Sequence, residues 1–492
     1  MAAVGPLDAM FLLGETRQQP MHVGGLMLFE LPEGAGRDHV FPERSRDYVA
    51  RLYQDMVAAP SVNPLFTRRV RQRALDLGYW SWDQDEEIDL EYHVRLSALP
   101  RPGRYRELFE LTGRLHGTLL DRHRPLWEMQ LIDGVEGRRF ALYSKIHHSL
   151  LDGVTALRWL QDTLTTDPTR TGMPATFALP SGDGPFSADE EDAPGLGGLP
   201  TAAELFAAVG RLPGQTFGSA AHAVGGAGRV LADLAGLTPV GLKSVLHTLQ
   251  AEHSSVAFQA PRTIFNQGIT GARRFAAQSW PMERLEKVRA ITGATLNDVT
   301  LAMCSGALRN YLLELNALPD KALTAMVPVS LRSEDSAPGG ANSLSTLIAD
   351  LATDEADPER RINRIVASTT YAKGVLSELS PLQRLLIGAV GFGVAGPAAV
   401  LPGVAGRTTP PYNVVISNVP GPAEAPLYWN RSRLLGMYPA SIVLNGQALN
   451  ISMTSYDHHL HFGLIGCRRS VPHLQRLLVY LETALTELEH IH

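Results

Sequence analysis

The stretch SKIHHSLLDGVTAL, residues 144–157, decides how this chain folds and where its chemistry lies. A short apolar run ends at Ile146, two histidines follow, and Asp152 and Gly153 open a segment whose apolar residues recur at helical spacing. This pattern predicts a strand, a tight loop and a helix, in that order. A side chain in such a loop is held rigidly and points into any cleft that lies beyond the end of the sheet.

The two histidines of the loop, His147 and His148, are candidates for a general base. Imidazole has an ordinary pKa of about 6.5, so a histidine can accept a proton near neutral pH. Such a base can activate an alcohol, whose oxygen is a poor nucleophile until its proton is being removed. Asp152 is expected to fix the loop by a charge-assisted contact, and Gly153 is expected to let the backbone turn closely.

The residues alone leave two other interpretations of this pair open. Histidine pairs are also common on surfaces and in satisfied cores. A metal site is the other alternative, but two histidines and one carboxylate at this spacing match none of the usual ligand patterns, so we predict no metal. His458 and His459 form a second pair, but Gly463 stands where the acidic residue would be, and we predict no role for them.

Upstream of the loop, strand-like and helix-like segments alternate. HVGGLMLFEL (22–31) and RFALYSKI (139–146) have the apolar character of buried strands, and residues 152–164 have the spacing of a helix. We therefore predict a first domain over residues 1–165. The composition then changes to Pro, Gly and acidic residues in 166–200.

Residues 201–237 are rich in Ala, Gly and Leu, which indicates weakly specified helices, and we assign 166–261 to a linker with connecting helices.

A second domain is predicted over residues 262–492. The segment PMERLEKVRAITG (281–293) has the pattern of a helix that stops at Gly293, and a new helix is expected from about Thr295. Strands are predicted at 322–331, 413–419 and 449–466, the last as a hairpin that turns near Asp457. The chain closes with a helix whose core stripe is formed by Leu474, Leu477, Leu478, Leu481, Leu485 and Leu488.

Bulk properties agree with this two-domain α/β fold of mixed sheets with flanking helices. The chain has 492 residues, more than one hydrophobic core usually supports. Its formal net charge of -6 provides no basic field for phosphates, so we predict no nucleic-acid partner. Two cysteines and the lack of a secretory pattern at the N-terminus favour a cytoplasmic protein.

Residues 385–406 form an uncharged run long enough to span a bilayer. Pro397 and Pro402 interrupt it and disfavour a spanning helix. A buried helix and a surface in contact with lipid remain as alternatives for this run.

The chain resembles a known family at the histidine loop and beyond. HHSLLDG (147–153) is similar to the HHxxxDG motif of the bacterial wax ester synthase/diacylglycerol acyltransferases, within the CoA-dependent acyltransferase superfamily. Further matches follow in the family's order and extend the resemblance over essentially the whole chain: PLDAMFL (6–12), RPLWE (124–128), TLNDV (295–299), VPVSLR (327–332) and NVVISNVPGP (413–422).

The resemblance implies two chloramphenicol-acetyltransferase-like domains with the active site in a channel between them. It implies that His148 is the base, that His147 supports it and that Asp152 organises the loop. Asn297 and Asp298 fall in a first helical turn, where free N–H groups favour negative charge. They could simply cap that helix. With the resemblance, we expect Asn297 to act near the site, as a donor to an oxyanion, and Asp298 to be structural.

The remaining motif residues are expected to shape the substrate channel. Pro125, Leu126 and Trp127 are predicted to pack beside the active site rather than to take part in chemistry. Ser417 and Asn418 end a strand before a Pro-Gly turn. They are predicted to line the channel, and an ordinary strand-to-turn transition is an equal alternative.

The resemblance implies an O-acyltransferase that moves a long-chain acyl group from acyl-CoA, as co-substrate, to diacylglycerol or a long-chain alcohol. No further cofactor is predicted. The partners would be acyl-CoA and a lipid alcohol, and the protein would contact a membrane or lipid-droplet surface peripherally. Two alternatives are another acceptor or a carrier-bound acyl thioester, and a lipid-surface binding protein without catalysis.

Overall fold

The computed structural model describes residues 4–35, 43–72, 80–178, 260–330, 344–378, 410–421 and 425–491. The helices are α1 (Pro6–Gly14), α2 (Glu43–Val57), α3 (Leu90–His93), α4 (Tyr105–His116), α5 (Gly153–Asp162), α6 (Met282–Thr292), α7 (Leu296–Glu314), α8 (Pro358–Glu378) and α9 (Arg476–Glu489).

The strands of the first half are β1 (His22–Glu30), β2 (Arg68–Gln72), β3 (Trp80–Gln84), β4 (Val94–Ala98), β5 (Trp127–Val135) and β6 (Arg139–His147). Those of the second half are β7 (Arg273–Pro281), β8 (Thr324–Ser330), β9 (Leu344–Asp350), β10 (Val414–Val419), β11 (Tyr428–Trp429), β12 (Ser432–Ala440), β13 (Leu449–Tyr456) and β14 (His459–Cys467).

Two six-stranded mixed sheets organise the molecule, which confirms the predicted α/β class. The first sheet has the order β11-β12-β1-β6-β5-β4, and the second has the order β7-β14-β13-β10-β8-β9. Within the first sheet only β4 and β5 pair in parallel, whereas β10 of the second sheet pairs in parallel with both β13 and β8. A separate ribbon consists of β2 and β3.

The first sheet is not built from the first half of the chain alone. Strand β12 pairs antiparallel with β1, so that Leu26 lies opposite Tyr438, and β11 extends the same edge. Residues 428–440 therefore complete the sheet of the first domain, although they fall inside the predicted second domain of 262–492. Sequence pattern can identify a strand but does not say which sheet it joins.

The start of the predicted linker is also part of the folded first domain. Residues 166–178 of the range 166–261 pack on the first domain, where the buried Phe177 ring stacks on Trp127 with centroids 5.1 Å apart. Burial of the apolar Phe177 side chain attaches this Pro- and Gly-rich segment to the first domain. Residues 179–259 lie outside the described residues, as does the uncharged run 385–406. Among the residues that the structure describes, no helix is both long and apolar enough to cross a membrane.

Several local predictions for the second half are confirmed. Helix α6 ends at Gly293, which adopts the left-handed conformation with φ of 69°. Helix α7 begins after Thr295 and is buried on nearly all sides, packed against α8 and α9. Strands β13 and β14 form the predicted hairpin, and Asp457 has the positive φ of 44° that its tight turn requires.

The leucine stripe near the C-terminus is core, as predicted. Leu474 lies just before α9 and Leu478 is only partly buried, while the other members are at most 1% exposed. Both cysteines, Cys304 and Cys467, are free and buried.

Gly463 lies where the two sheets approach each other. A Cβ atom there would overlap the backbone carbonyl oxygen of Pro439 on β12. We expect Gly463→Ala to lower the free energy of unfolding by about 1–3 kcal/mol, since the strands must separate to admit the methyl group. Thermal unfolding followed by circular dichroism measures this.

Gly374→Ala is the matched control for that substitution. Gly374 lies in α8 with no atom within 4 Å of its would-be Cβ. Alanine should raise the free energy of unfolding there by about 0.5–1 kcal/mol, through helix propensity. Equal unfolding midpoints for the two variants would contradict the close approach of the sheets.

Candidate active site

The histidine loop follows the last residue of β6, and pairing with β1 fixes its position. His147 lies directly opposite His22 in the antiparallel register. Its side chain is fully buried, and its Nδ1 accepts a hydrogen bond from the backbone N–H of Ser149 at 3.2 Å. The Ser149 hydroxyl lies 2.7 Å from the same nitrogen. Because Nδ1 is the acceptor, a neutral His147 carries its proton on Nε2.

His148 is the residue of the pair that keeps part of its surface accessible. Its backbone N–H donates to the carbonyl oxygen of Met21 at 2.9 Å. Its ring stacks on Phe11 of α1, with centroids 4.0 Å apart and planes inclined by 16°. The backbone of His148 is thus held by Met21, and its imidazole is packed against the ring of Phe11.

Burial lowers the pKa of His148 to about 4, although the Asp152 carboxylate and a hydrogen bond to the residue's own backbone oppose this shift. The imidazole is therefore unprotonated at neutral pH. A neutral imidazole has one ring nitrogen without a proton, and that nitrogen can accept a proton from a substrate. This combination of accessibility, fixed orientation and neutral charge suits a general base.

Asp152 is the N-cap residue of α5. Its carboxylate accepts hydrogen bonds from the backbone N–H of Thr155 at 2.9 Å and from the Thr155 hydroxyl at 3.0 Å. At Gly153 the predicted need for a close turn is not found. The residue lies outside the left-handed region, and a Cβ there would make ordinary contact with Val23 at 3.9 Å.

Helix α1 contributes residues that sequence reasoning did not identify. Besides Phe11, it carries Asp8, whose pKa burial and the nearby Asp152 carboxylate raise to about 6. Glu15 follows the helix and lies 3.5 Å from Nε2 of His147. The segment PLDAMFL (6–12) was the available signal, but it shows no chemistry until the fold brings it to the loop.

The PLW segment packs beneath the loop. The carbonyl oxygen of Leu126 accepts the backbone N–H of His147 at 2.9 Å. Trp127 is fully buried, stacks on His93 with centroids 4.5 Å apart, and donates its indole N–H to the Phe66 carbonyl oxygen at 2.7 Å. Pro125 is buried beside them. These residues hold the end of β6 in place through backbone and packing contacts.

The Asn297 and Asp298 pair begins α7 in the second domain. Asp298 forms a capping box with Thr295, and its second carboxylate oxygen accepts the Thr369 hydroxyl of α8 at 2.7 Å. Asn297 is half-buried in the same first turn, and its backbone carbonyl oxygen accepts a hydrogen bond from the Thr300 hydroxyl. The part played by the Asn297 amide stays a prediction.

Ser417 and Asn418 lie near the end of β10, and both are half-buried. The Ser417 hydroxyl lies 2.8 Å from that of Ser452 on β13, which donates in turn to Asn450 Oδ1 at 2.9 Å. Asn418 faces Met453 in the parallel register. Their expected place along a substrate channel stays a prediction.

The other histidines differ in environment. His458 and His459 are exposed at the hairpin turn, and no role was predicted for them. His22 and His116 are buried, and the carbonyl oxygen of His116 lies 2.8 Å from Nε2 of His22. Burial keeps the pKa of His22 well below its ordinary value and lowers that of His116 to about 3, so both are neutral.

The site therefore presents a neutral, partly accessible histidine just after the end of a strand, an arrangement suited to proton transfer. Comparison with known proteins identifies the family. Residues 4–300 match the model of the wax ester synthase/diacylglycerol acyltransferase catalytic domain, and residues 340–489 match that of the corresponding C-terminal domain. The chain belongs to this family, and it is an acyltransferase.

Individual relatives agree over nearly full length. The chain is 45% identical to a Mycobacterium tuberculosis protein named "Probable diacylglycerol O-acyltransferase", covering 98% of each. It is 39% identical to the O-acyltransferase WSD of Acinetobacter baylyi, covering 100% of this chain and 98% of that protein.

Solved structures agree with the fold. The wax ester synthase/diacylglycerol acyltransferase of Marinobacter aquaeolei has a TM-score of 0.74 at 40% identity, with 99% of each chain covered. The first condensation domain of the CDA synthetase, with a TM-score of 0.52 at 13% identity and coverage of 98% of this chain and 95% of that one, shares the fold alone.

The low pKa of His148 predicts how activity depends on pH. A base with a pKa of about 4 stays unprotonated on mild acidification, so kcat/KM should change little between about pH 7 and about pH 5.5. It should fall only as the pH approaches the pKa of His148. The measurement is the rate of acyl transfer across this range, with circular dichroism at each pH to show that the fold is intact.

The Asp8→Asn variant is the control for this profile, since Asp8 titrates at about 6. In this variant, the fall of kcat/KM at acidic pH should occur over the same pH range as in the parent protein. If kcat/KM instead fell with a midpoint at about pH 6.5 in both folded proteins, the base would have an ordinary histidine pKa.

Proposed function

We propose that this acyltransferase moves a long-chain acyl group from acyl-CoA to diacylglycerol, to a long-chain alcohol, or to both, with His148 as the general base. The observation that carries the proposal is that His148 is neutral and partly accessible, with its backbone N–H bound to the Met21 carbonyl oxygen and its ring stacked on Phe11. The names of the Mycobacterium, Acinetobacter and Marinobacter relatives support the reaction class and the acceptors.

The proposed reaction is a direct transfer. The free nitrogen of His148 takes the hydroxyl proton of the acceptor while the acceptor oxygen attacks the thioester carbonyl carbon. The tetrahedral oxyanion then collapses, the carbon–sulfur bond breaks, and the protonated His148 gives its proton to the departing CoA sulfur. The products are an ester and CoA, and the base is restored. The reaction needs no cofactor besides the co-substrate acyl-CoA.

Three further residues have roles in this proposal. Asn297 lies in the first turn of α7, where free backbone N–H groups and the helix dipole favour negative charge, and its amide would donate to the oxyanion. Asp152 caps α5 and keeps the loop folded. His147 supports His148 from its buried position.

A lipid acceptor also implies a lipid surface. Diacylglycerol and long-chain alcohols reside in membranes and droplets, so we propose a cytoplasmic enzyme that contacts such a surface peripherally. The apolar character of the substrates supports this contact.

The central test is a panel of acceptors with purified protein and long-chain acyl-CoA. We expect ester formation with diacylglycerol or a fatty alcohol. We expect His148→Ala to lower kcat by about 10²- to 10⁴-fold, the usual contribution of a general base. His459→Ala is the matched control, because that exposed histidine lies on the hairpin and its loss should leave the rate unchanged. Full activity of a folded His148→Ala protein would rule out the proposed base.

Surface contact is tested separately by flotation. With phosphatidylcholine vesicles that contain diacylglycerol, the protein should float with the lipid and produce triacylglycerol, because it must collect its acceptor there. Vesicles without diacylglycerol are the control for binding without turnover. Protein that stays in the aqueous fraction while it acylates vesicle-borne acceptor would contradict the peripheral contact.

A further inference from the structure

Glu15 is a buried carboxylate that the proposed reaction does not use. It follows the last residue of α1, and its side chain is only 3% exposed. A buried carboxylate is costly unless it is paired and hydrogen-bonded. Both of its oxygens are in fact engaged, and the groups that engage them belong to the surroundings of His148.

One oxygen pairs with an arginine. Oε2 accepts hydrogen bonds from Nε of Arg122 at 3.1 Å and from Nη2 of the same guanidinium at 3.0 Å. Burial would raise the pKa of Glu15, but His147, the Met21 amide and Arg122 together hold it below its ordinary value. Glu15 is therefore ionised at neutral pH.

The other oxygen faces the histidine loop. Oε1 accepts the backbone N–H of Met21 at 3.2 Å and lies 3.5 Å from Nε2 of His147. That nitrogen is buried and has no hydrogen-bond partner among the residues described here. Since Ser149 donates to the other ring nitrogen of His147, a neutral imidazole carries its proton on Nε2. The positive end of this N–H dipole faces the Glu15 carboxylate.

Both contacts lead to His148. The backbone N–H of Met21 donates a hydrogen bond to Glu15. The carbonyl oxygen of Met21 in turn accepts a hydrogen bond from the backbone N–H of His148 at 2.9 Å. His147 is the covalent neighbour of His148. One carboxylate therefore contacts both Met21, the residue before β1, and His147, the buried last residue of β6, and these two residues hold the backbone of His148.

We propose that Glu15 is a positioning residue for the acyl transfer: its carboxylate orients His147 and the Met21 peptide and so sets the position of the His148 imidazole. It does not touch substrate. This inference rests on the proposed role of His148 as the base. A small displacement of a reacting group is costly in rate, so the effect should appear in kcat rather than in substrate affinity.

The test compares Glu15→Gln with Glu128→Gln. Glutamine keeps the size of Glu15 and an oxygen for the Met21 amide but removes the charge that faces His147. We expect kcat to fall about 10- to 100-fold, with the KM for acyl-CoA unchanged. Glu128 is a matched control, because it is also a largely buried carboxylate in an ion pair, with Lys145 at 3.2 Å, on the strand next to β6. Its variant should keep the parent kcat.

A double-mutant cycle separates positioning from simple stability. If Glu15 acts through His147, Glu15→Gln should cost much less in kcat when it is made in a His147→Ala protein. Equal losses in both backgrounds, or an unchanged kcat in folded Glu15→Gln, would overturn the inference. Arg122→Lys keeps a cation beside Glu15, so it should retain most of the rate, and a loss equal to that of Glu15→Gln would also overturn it.

His148→Ala, measured in the same series, shows whether a negative result contradicts only the positioning role of Glu15 or also the proposed role of His148 as the base. If His148→Ala is inactive while Glu15→Gln is fully active, only the positioning role is lost. If folded His148→Ala is active, the proposed base itself fails.

Discussion

The antiparallel pairing of β1 with β6 is the constraint on which the site depends. It sets His22 opposite His147 and leaves Met21, one residue before β1, beside His148, one residue after β6. The hydrogen bond from the His148 amide to the Met21 carbonyl oxygen continues this ladder past the strand ends. A shift of one residue in the register would turn the side chains to the opposite faces of the sheet. The chemistry of the loop is therefore a product of strand register.

The two neighbouring histidines of the loop lie in different environments. His147 is enclosed, with both ring nitrogens directed at protein groups, Ser149 on one side and Glu15 on the other. His148 is stacked on Phe11 yet keeps some exposed surface. Burial lowers the pKa of His148, so it stays neutral and able to accept a proton. Position within the fold, rather than residue type, decides which of the two histidines keeps accessible surface.

The two halves of the chain are tied together at the sheet that carries the site. Strand β12 enters the first sheet beside β1, and Gly463 of the second sheet lies against its Pro439. The N-terminal loop also reaches the second half, since Arg273 donates to the Gln18 carbonyl oxygen at 2.7 Å. The segment that precedes Met21 therefore contacts residues from both halves of the chain.

The residues alone were enough to predict the strand–loop–helix around HHSLLDG (147–153), the α/β class, the caps of α6 and α7, and the family, because these depend on neighbours within a few turns of chain or on short motifs. The contacts of Phe11 and Glu15 with the loop, and the place of β12 in the first sheet, became visible only in the folded chain. Those contacts join residues more than a hundred positions apart. They arise from packing and strand pairing, for which no local pattern in the sequence provides a signal.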